Sequence, residues 1–120
     1  MGKQRPRFSR GRTYTPEKTV EYQQRVQNEA VQVFAAPSEK PIKLRVYAYF
    51  EPPKSWGKKK RNERIFRPHT QRPDIDNIEK IIADALNGIA YKDDAQICES
   101  TCRKYWGRTG QVAVIVEELA

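Results

Sequence analysis

The segment from Arg72 to Gly88, RPDIDNIEKIIADALNG, constrains the fold more than any other part of this sequence. Its apolar residues recur three and four positions apart, which is the spacing of one buried face of an α-helix. These residues are Ile78, Ile81, Ile82, Ala85, Leu86 and Ile89. Pro73 predicts a start for the helix, and Asn87 with Gly88 predicts a left-handed end. The opposite face then carries Asp76, Lys80 and Asp84.

Two carboxylates, Asp74 and Asp76, lie at the predicted start of this helix. Asp76 with Glu79 suits a capping box, which would be a purely structural role for Asp76. Capping leaves Asp74 unexplained. Two carboxylates about 4 Å apart repel by about 4 kcal/mol at an effective dielectric of 20, so their convergence requires a cation or a shared proton.

Asp93 and Asp94 follow the helix and are candidates to join this pair. Adjacent aspartates are also common in turns, so a turn is the alternative interpretation. A site made of carboxylate oxygens favours Mg²⁺ or Mn²⁺ over zinc. Such an ion polarises a phosphodiester oxygen and supplies a hydroxide-like water.

The remaining elements predict an α+β protein. Thr15-Pro16-Glu17 begins a helix whose core positions are Tyr22, Val26, Ala30, Val33 and Phe34. Residues 42–50 alternate strictly between apolar and polar, which predicts a half-buried strand. Two further strands are predicted over residues 96–106 and 111–117, and the last is apolar on both faces, which favours a position inside the sheet.

A chain of 120 residues suits one domain. We therefore predict a single α+β domain over residues 14–120, in which a small mixed or antiparallel sheet packs against two helices. Residues 1–13 are predicted to be a flexible basic arm.

Positive charge is concentrated in two segments. The net charge is +8, residues 1–13 contribute +5 and residues 54–72 contribute +7, so the rest of the chain carries −4. Two basic blocks around an acidic centre favour a nucleic-acid partner, although solvated charge runs are also common. The residues assigned to DNA are Arg5, Arg7, Arg10, Arg12, Lys58, Lys59, Lys60, Arg61, Arg67 and Arg72.

The second basic segment lies in a predicted long loop, residues 51–71, which also contains Trp56 and Phe66. These aromatic rings either stack on bases or pin the loop to the core. His69 either assists the site or is structural.

No apolar run approaches the roughly 20 residues that span a bilayer, so we expect a soluble, intracellular protein with no membrane contact. Cys98 and Cys102 on one strand would lie about 13 Å apart, too far for a disulfide, and we expect reduced thiols. A single histidine, His69, makes a zinc site improbable.

The string PDIDNIEKIIADALNG followed by IAYKDDAQI resembles the signature of the RusA-family Holliday junction resolvases, small endonucleases of phages and bacteria. The resemblance extends to RGRTYTPEKTVEYQQRV and to the basic loop. It implies that a D-x-D-N-x-x-x-K motif and the second aspartate of a later pair carry catalysis. Those positions are Asp74, Asp76, Lys80 and Asp94, with the three aspartates binding Mg²⁺ or, as a substitute, Mn²⁺.

The resemblance further implies a cytoplasmic homodimer, in a bacterial or phage-infected cell, that resolves four-way junctions by paired cuts in DNA recombination and repair. Relatives carry a β-strand ahead of a segment like residues 2–7, so we expect one edge strand of the sheet to be absent from this sequence. Two alternatives stay open. One is a protein that binds branched DNA without cutting it, and the other is a nuclease acting on flaps or forks.

Overall fold

A computed structural model describes the backbone of residues 7–9, 12–14 and 16–120, and the side chains from residue 21 onward. The elements in chain order are β1 (Arg7–Ser9), β2 (Arg12–Tyr14), α1 (Pro16–Val33), β3 (Ile42–Phe50), α2 (Lys58–Arg64), α3 (Ile75–Leu86), β4 (Ile97–Trp106) and β5 (Gln111–Glu118). The predicted fold class is confirmed: this is a small α+β domain with a mixed sheet.

The sheet has three strands in the order β4-β3-β5. Central β3 pairs in parallel with β4 and antiparallel with β5. Its alternating sequence places Ile42, Leu44, Val46 and Ala48 on one buried face, while the residues between them are only partly buried. The strict alternation of residues 42–50 therefore produces the predicted half-buried strand.

Two helices cover the apolar face of the sheet. Ile78, Ile82 and Leu86 of α3 are buried in the same cluster as the β3 residues. Helix α1 packs on α3 and contributes the buried Ala30 together with the partly buried Tyr22 and Val26, and Phe34 packs on the core directly after the helix. The buried face of α3 thus follows the predicted spacing.

The predicted core position of Val33 is wrong, because this side chain is 74% exposed. Val33 is the last residue of α1, and Phe34 takes the position against the core one residue later. Gly88, with φ +84, gives α3 the left-handed end expected from the sequence.

The predicted interior position of the last strand is also wrong. Within the described residues, β5 pairs only with β3 and lies at an edge of the sheet. Its apolar residues divide between the two faces: Val112, Val114 and Val116 pack against the core, whereas Ile115 on the outer face is 44% exposed.

The segment predicted to be a long loop contains the seven-residue helix α2. Its sequence, KKKRNER, has no proline or glycine and consists mostly of good helix formers. Arg61 anchors this helix, because its guanidinium donates hydrogen bonds to the carbonyls of Pro52 (3.3 Å) and Pro53 (3.0 Å).

Residues 66–73, here called the strap, connect α2 to α3 along the outer edge of β4. The amide of Phe66 donates to the carbonyl of Trp106 (2.7 Å), and that of Trp106 donates to Arg67 (2.9 Å). Farther along, the amide of His69 donates to the carbonyl of Lys104 (3.1 Å). The strap therefore holds the basic helix at one end and the D-x-D motif at the other.

The predicted arm falls mostly outside the described residues, which omit 1–6, 10–11 and 15. Strands β1 and β2 pair antiparallel as a small separate sheet. No helix in the described part of the chain is long and apolar enough to cross a membrane.

Candidate active site

Helix α3 begins one residue after Asp74, which is its N-cap in an extended conformation (φ −73°, ψ 152°). The amide of Ile78 donates the first intrahelical hydrogen bond to the Asp74 carbonyl (3.1 Å). The predicted capping box at Asp76 and Glu79 is therefore wrong, because the helix starts two residues earlier and Asp76 lies in its first turn. The Asp74 carboxylate makes no capping hydrogen bond either, so capping does not explain either acid.

A shallow cleft of about 170 Å³ lies between α3 and the sheet. Asp76, Glu79 and Lys80 line it from the helix, and Ile97 and Ser100 line it from β4. Asp76 and Lys80 are four residues apart and so lie on one face of the helix. The structure thus brings Asp76 and Lys80 together in a cleft, with Asp74 at the N-terminal end of the same helix.

Lys104 approaches the D-x-D motif from β4. Its ammonium donates hydrogen bonds to the carbonyls of Gln71 (2.5 Å) and Pro73 (2.8 Å), the latter immediately before Asp74. Partial burial lowers the pKa of Lys104, while the nearby Asp74 carboxylate raises it. A second lysine, besides Lys80, therefore lies at the mouth of α3.

Asp94 lies at the other end of α3, beside Asp84. Partial burial raises the pKa of Asp94, and contacts with the carboxylates of Asp93 and Asp84 raise it further. Asp84 is eight residues after Asp76, which corresponds to about 12 Å along the helix axis at 1.5 Å per residue. The structure therefore does not bring Asp94 to Asp74 and Asp76 within one chain.

The neighbouring Asp93 has a structural role. Its carboxylate accepts a hydrogen bond from the amide of Ala95 (3.3 Å), and its own amide donates to the side chain of Gln96 (2.8 Å). This capping box begins a 3₁₀ turn over Asp94–Gln96, so the turn interpretation holds for Asp93. Asp94, the first residue of this turn, lies beside Asp84 of α3.

Tyr91 is a fully buried core residue close to the carboxylates of Asp84 and Asp94. Its hydroxyl donates to the carbonyl of Ala83 (2.6 Å), and burial raises its pKa, with the charges of Asp94 and Asp84 adding to the effect.

The described residues contain no group of three or more histidine, cysteine, aspartate or glutamate side chains positioned to hold a metal ion. Mg²⁺ is usually bound through only one or two protein carboxylates, with water and substrate phosphate oxygens completing its octahedron. The exposed Asp74 and Asp76 meet that requirement. The ligand roles of Asp74, Asp76 and Asp94 and the catalytic role of Lys80 stay predictions.

The basic residues assigned to DNA have different surroundings. Lys58, Lys59, Arg67 and Arg72 are exposed. Lys60 is also exposed, but its ammonium lies 4.4 Å from the centre of the Trp56 ring. Arg61 is half-buried and bound to carbonyls, which leaves its guanidinium less able to contact phosphate. Arg5 and Arg10 lie outside the described residues, and the side chains of Arg7 and Arg12 are not described.

The three aromatic residues of the basic segment have separate roles. Trp56 packs on Trp106 (4.8 Å between ring centres), and buried His69 lies between Phe50 (4.2 Å) and Trp106 (4.4 Å). These contacts favour the structural interpretation for both. Phe66, in contrast, is 62% exposed and has φ 64°, a left-handed conformation that is costly for an aromatic residue.

The two thiols are unbonded, as expected for reduced cysteines. Cys98 donates weakly to the carbonyl of Ile42 (3.6 Å), and burial raises the pKa of Cys102 to about 11. Cys102 is therefore a poor nucleophile at neutral pH.

Comparison with known proteins decides the family. The family model described as "Endodeoxyribonuclease RusA" matches residues 1–117, which is nearly the whole chain. The chain belongs to the RusA endodeoxyribonuclease family. A relative by sequence is the "Uncharacterized protein YqaN" of Bacillus subtilis (strain 168), which is 34% identical over 85 residues. That alignment covers 67% of this chain and 59% of the relative, so the chain matches about three-fifths of the relative's length.

Sequence reasoning missed three residues of this RusA-family site. Glu79 and Ser100 line the cleft, and Lys104 binds the strap. The helical spacing of α3 places Glu79 next to Asp76 and Lys80, so the sequence alone could have predicted Glu79 at the site. Ser100 and Lys104 depend on the pairing of β4 with β3, for which the sequence carries no local signal.

Proposed function

We propose that this chain is a Mg²⁺-dependent endonuclease that resolves four-way DNA junctions by paired phosphodiester cuts, in DNA recombination and repair. The observation that carries the proposal is the mouth of α3. There Asp74 and Asp76 are exposed, the N-cap residue Asp74 makes no capping hydrogen bond through its side chain, and Lys80 follows on the same face as Asp76. The family match supports the same reaction class.

Asp74 and Asp76 would hold the divalent ion, with Asp94 as the third predicted ligand and Mn²⁺ as a substitute metal. When bound, the ion would polarise the scissile phosphodiester and lower the pKa of a coordinated water. The α3 N-terminus also favours anionic groups through its partial positive charge, which suits a phosphate at this position.

Lys80 would stabilise the negative charge that develops on the phosphate during cleavage. Lys80 lies one helical turn beyond Asp76 and lines the same cleft, so a flexible lysine side chain there would reach a phosphate bound at the helix mouth. The alternative role of Lys80, a helical ion pair with Asp76 or Asp84, is worth only a few tenths of a kcal/mol. Such a pair would give little reason for a lysine at this site.

The exposed lysines of α2 and the exposed arginines of the strap would bind the DNA backbone. Phe66 lies between these two groups, and its left-handed backbone is held by the hydrogen bond from its amide to Trp106. An exposed aromatic ring on a strained backbone suits stacking on a base that is unpaired at a branch point. We assign this contact to Phe66 rather than to Trp56, which packs on Trp106.

Resolution needs cuts in two strands, and a homodimer would supply two sites. The test of the proposal is cleavage of synthetic four-way, three-way, flap and linear duplex DNA at one salt concentration, with Mg²⁺ and Mn²⁺ titrated. We expect paired, metal-dependent cuts in the four-way junction and none in the duplex. Preferred cutting of flaps would instead identify a flap or fork nuclease, and absence of cutting at every metal concentration would contradict the proposal.

One observation favours a second candidate, a protein that binds branched DNA without cutting it. Asp94 lies beside Asp84, which is about 12 Å along α3 from Asp76. Among the described residues of one chain, the three predicted ligands therefore do not form a metal-binding group. In that case junction binding would be tight and insensitive to Asp74→Asn, and no metal would produce cleavage.

A further inference from the structure

We propose that Lys104 is a positioning residue of the active site, which fixes the strap so that Asp74 faces the bound phosphate. The inference rests on the proposed nuclease function but concerns a residue on a different element, ten positions beyond Asp94. Its basis is the set of contacts between β4 and the strap.

The strap is anchored to β4 at both of its ends. Its first half is held by backbone hydrogen bonds to Trp106 and, through His69, to Lys104. Nearer Asp74, the Lys104 ammonium donates hydrogen bonds to the carbonyls of Gln71 and Pro73. One side chain therefore anchors the last residues before the D-x-D motif.

A lysine suits position 104 because its ammonium reaches two carbonyls of the strap. The inner face of β4 points towards α3, and its alternation places Ser100, Cys102 and Lys104 on that side. An ammonium group has three donors, and two of them are used by strap carbonyls. The same charge lies close enough to Asp74 for that carboxylate to affect the Lys104 pKa. Lys104 thus couples the backbone ahead of Asp74 to the charge of Asp74 itself.

The position of Asp74 should determine the rate of cleavage. A displacement of about 1 Å in a group that positions substrate can cost about 100-fold in rate. Losing the anchor at residues 71–73 would move Asp74, while the exposed lysines on α2 would still contact DNA. Lys104 should therefore affect cleavage much more than junction binding.

The experiment compares Lys104→Met, which removes the charge and all donors, with Lys104→Gln, which removes the charge but keeps an amide with two N–H donors on a shorter side chain. Arg103→Gln is the matched control, because it removes one positive charge from the adjacent β4 residue on the opposite face of the sheet. Three quantities are measured: the single-turnover cleavage rate of a four-way junction, junction affinity with Ca²⁺ in place of Mg²⁺, and backbone amide exchange over residues 69–75.

For Lys104→Met we expect cleavage about 100-fold slower and affinity within about threefold of the parent, since binding rests on phosphate contacts elsewhere. Amide exchange over residues 69–75 should rise at least about tenfold, with β3 unchanged, because only the strap is released. Lys104→Gln should fall between parent and Lys104→Met, and Arg103→Gln should match the parent in the exchange of residues 69–75.

Parent-like exchange over residues 69–75 in Lys104→Met would overturn the inference, as would faster exchange with an unchanged cleavage rate. If Lys104→Met does not fold, Lys104→Gln is judged by the same criteria. A parent protein that cuts no DNA would contradict the proposed function instead, and the exchange measurement would still decide whether Lys104 holds the strap.

Discussion

Among single residues, the aspartates differ in whether their neighbours could be predicted from the sequence. Asp76 and Lys80 are four positions apart on α3, so helical periodicity alone predicts their proximity, and Asp74 precedes them as the N-cap. Asp94 returns to α3 through the chain after Gly88, and its neighbour there is Asp84. No local pattern specifies that contact, which depends on the capping box of Asp93 and on the Tyr91 hydrogen bond.

Replacing Asp74, Asp76 or Asp94 by Asn should abolish cleavage, because amide oxygens lack the charge that retains a divalent ion beside a phosphate. Junction binding should be unchanged or tighter, since it rests on the basic segments and loses a repelling carboxylate. Cleavage gels and electrophoretic mobility shifts measure the two effects. Asp93→Asn is the matched control, and it should retain cleavage. Normal cleavage by any one of the first three variants would remove that residue from the site.

Asp94→Asn should also stabilise the fold at neutral pH by up to about 1 kcal/mol, the scale of an exposed charge pair. The pKa of Asp94 is raised in the folded state, so its ionised form costs stability above that pKa. Below it the parent carboxyl is protonated, and the advantage of the variant should disappear. Thermal unfolding of both proteins at a series of pH values tests this, and a difference that grows as the pH falls would contradict it.

At the level of elements, periodicity predicted α1, α3 and the strands β3 to β5, while their environments were harder to predict. The alternation of β3 gave the correct buried face. The apolar sequence of β5 suggested an interior strand, although half of it faces away from the core at an edge. Helix α2 has no buried residue and so no apolar periodicity from which to predict it. Tertiary contacts through Arg61 and Trp56 hold it instead.

Two kinds of basic residue on α2 should respond differently to substitution. Replacing Lys58 and Lys59 together by Gln should lower the salt slope of junction binding by about 2, or about 0.9 for each lost phosphate contact. Arg61→Gln should instead lower the melting temperature by about 4 °C, because a charge-assisted anchor to two carbonyls worth about 1 kcal/mol is lost. Affinity at several salt concentrations and thermal melts separate the effects. Equal salt slopes for the parent and the double variant would show that α2 does not contact phosphate.

For the whole molecule, charge is arranged so that the basic α2 and strap lead to an acidic helix mouth. The sequence predicted this arrangement because the basic and acidic segments are contiguous along the chain. A homodimer would place two such mouths on one junction, and the contacts between copies depend on surfaces that no sequence pattern identified.

The proposed homodimer predicts which DNA products a mixed dimer will form. Mixed dimers of the parent and Asp74→Asn should nick one strand of a junction, whereas parent dimers cut two, because each subunit would serve one strand. A supercoiled plasmid with an extruded cruciform reports this as nicked circles against linear DNA. Sedimentation velocity should give twice the mass of the chain. A monomer that still makes paired cuts would contradict the two-site arrangement.

The contact between Trp56 and Trp106 has a practical consequence. These are the two tryptophans of the sequence, and both lie where α2 and the strap meet the end of β4. The tryptophan fluorescence of the protein therefore comes from one region. The ammonium of Lys60 lies over the Trp56 indole, and the imidazole of His69 lies against the Trp106 indole. Any ligand that moves Lys60 away from Trp56 or shifts the strap will change this fluorescence. Ligand binding can therefore be followed with the unlabelled protein.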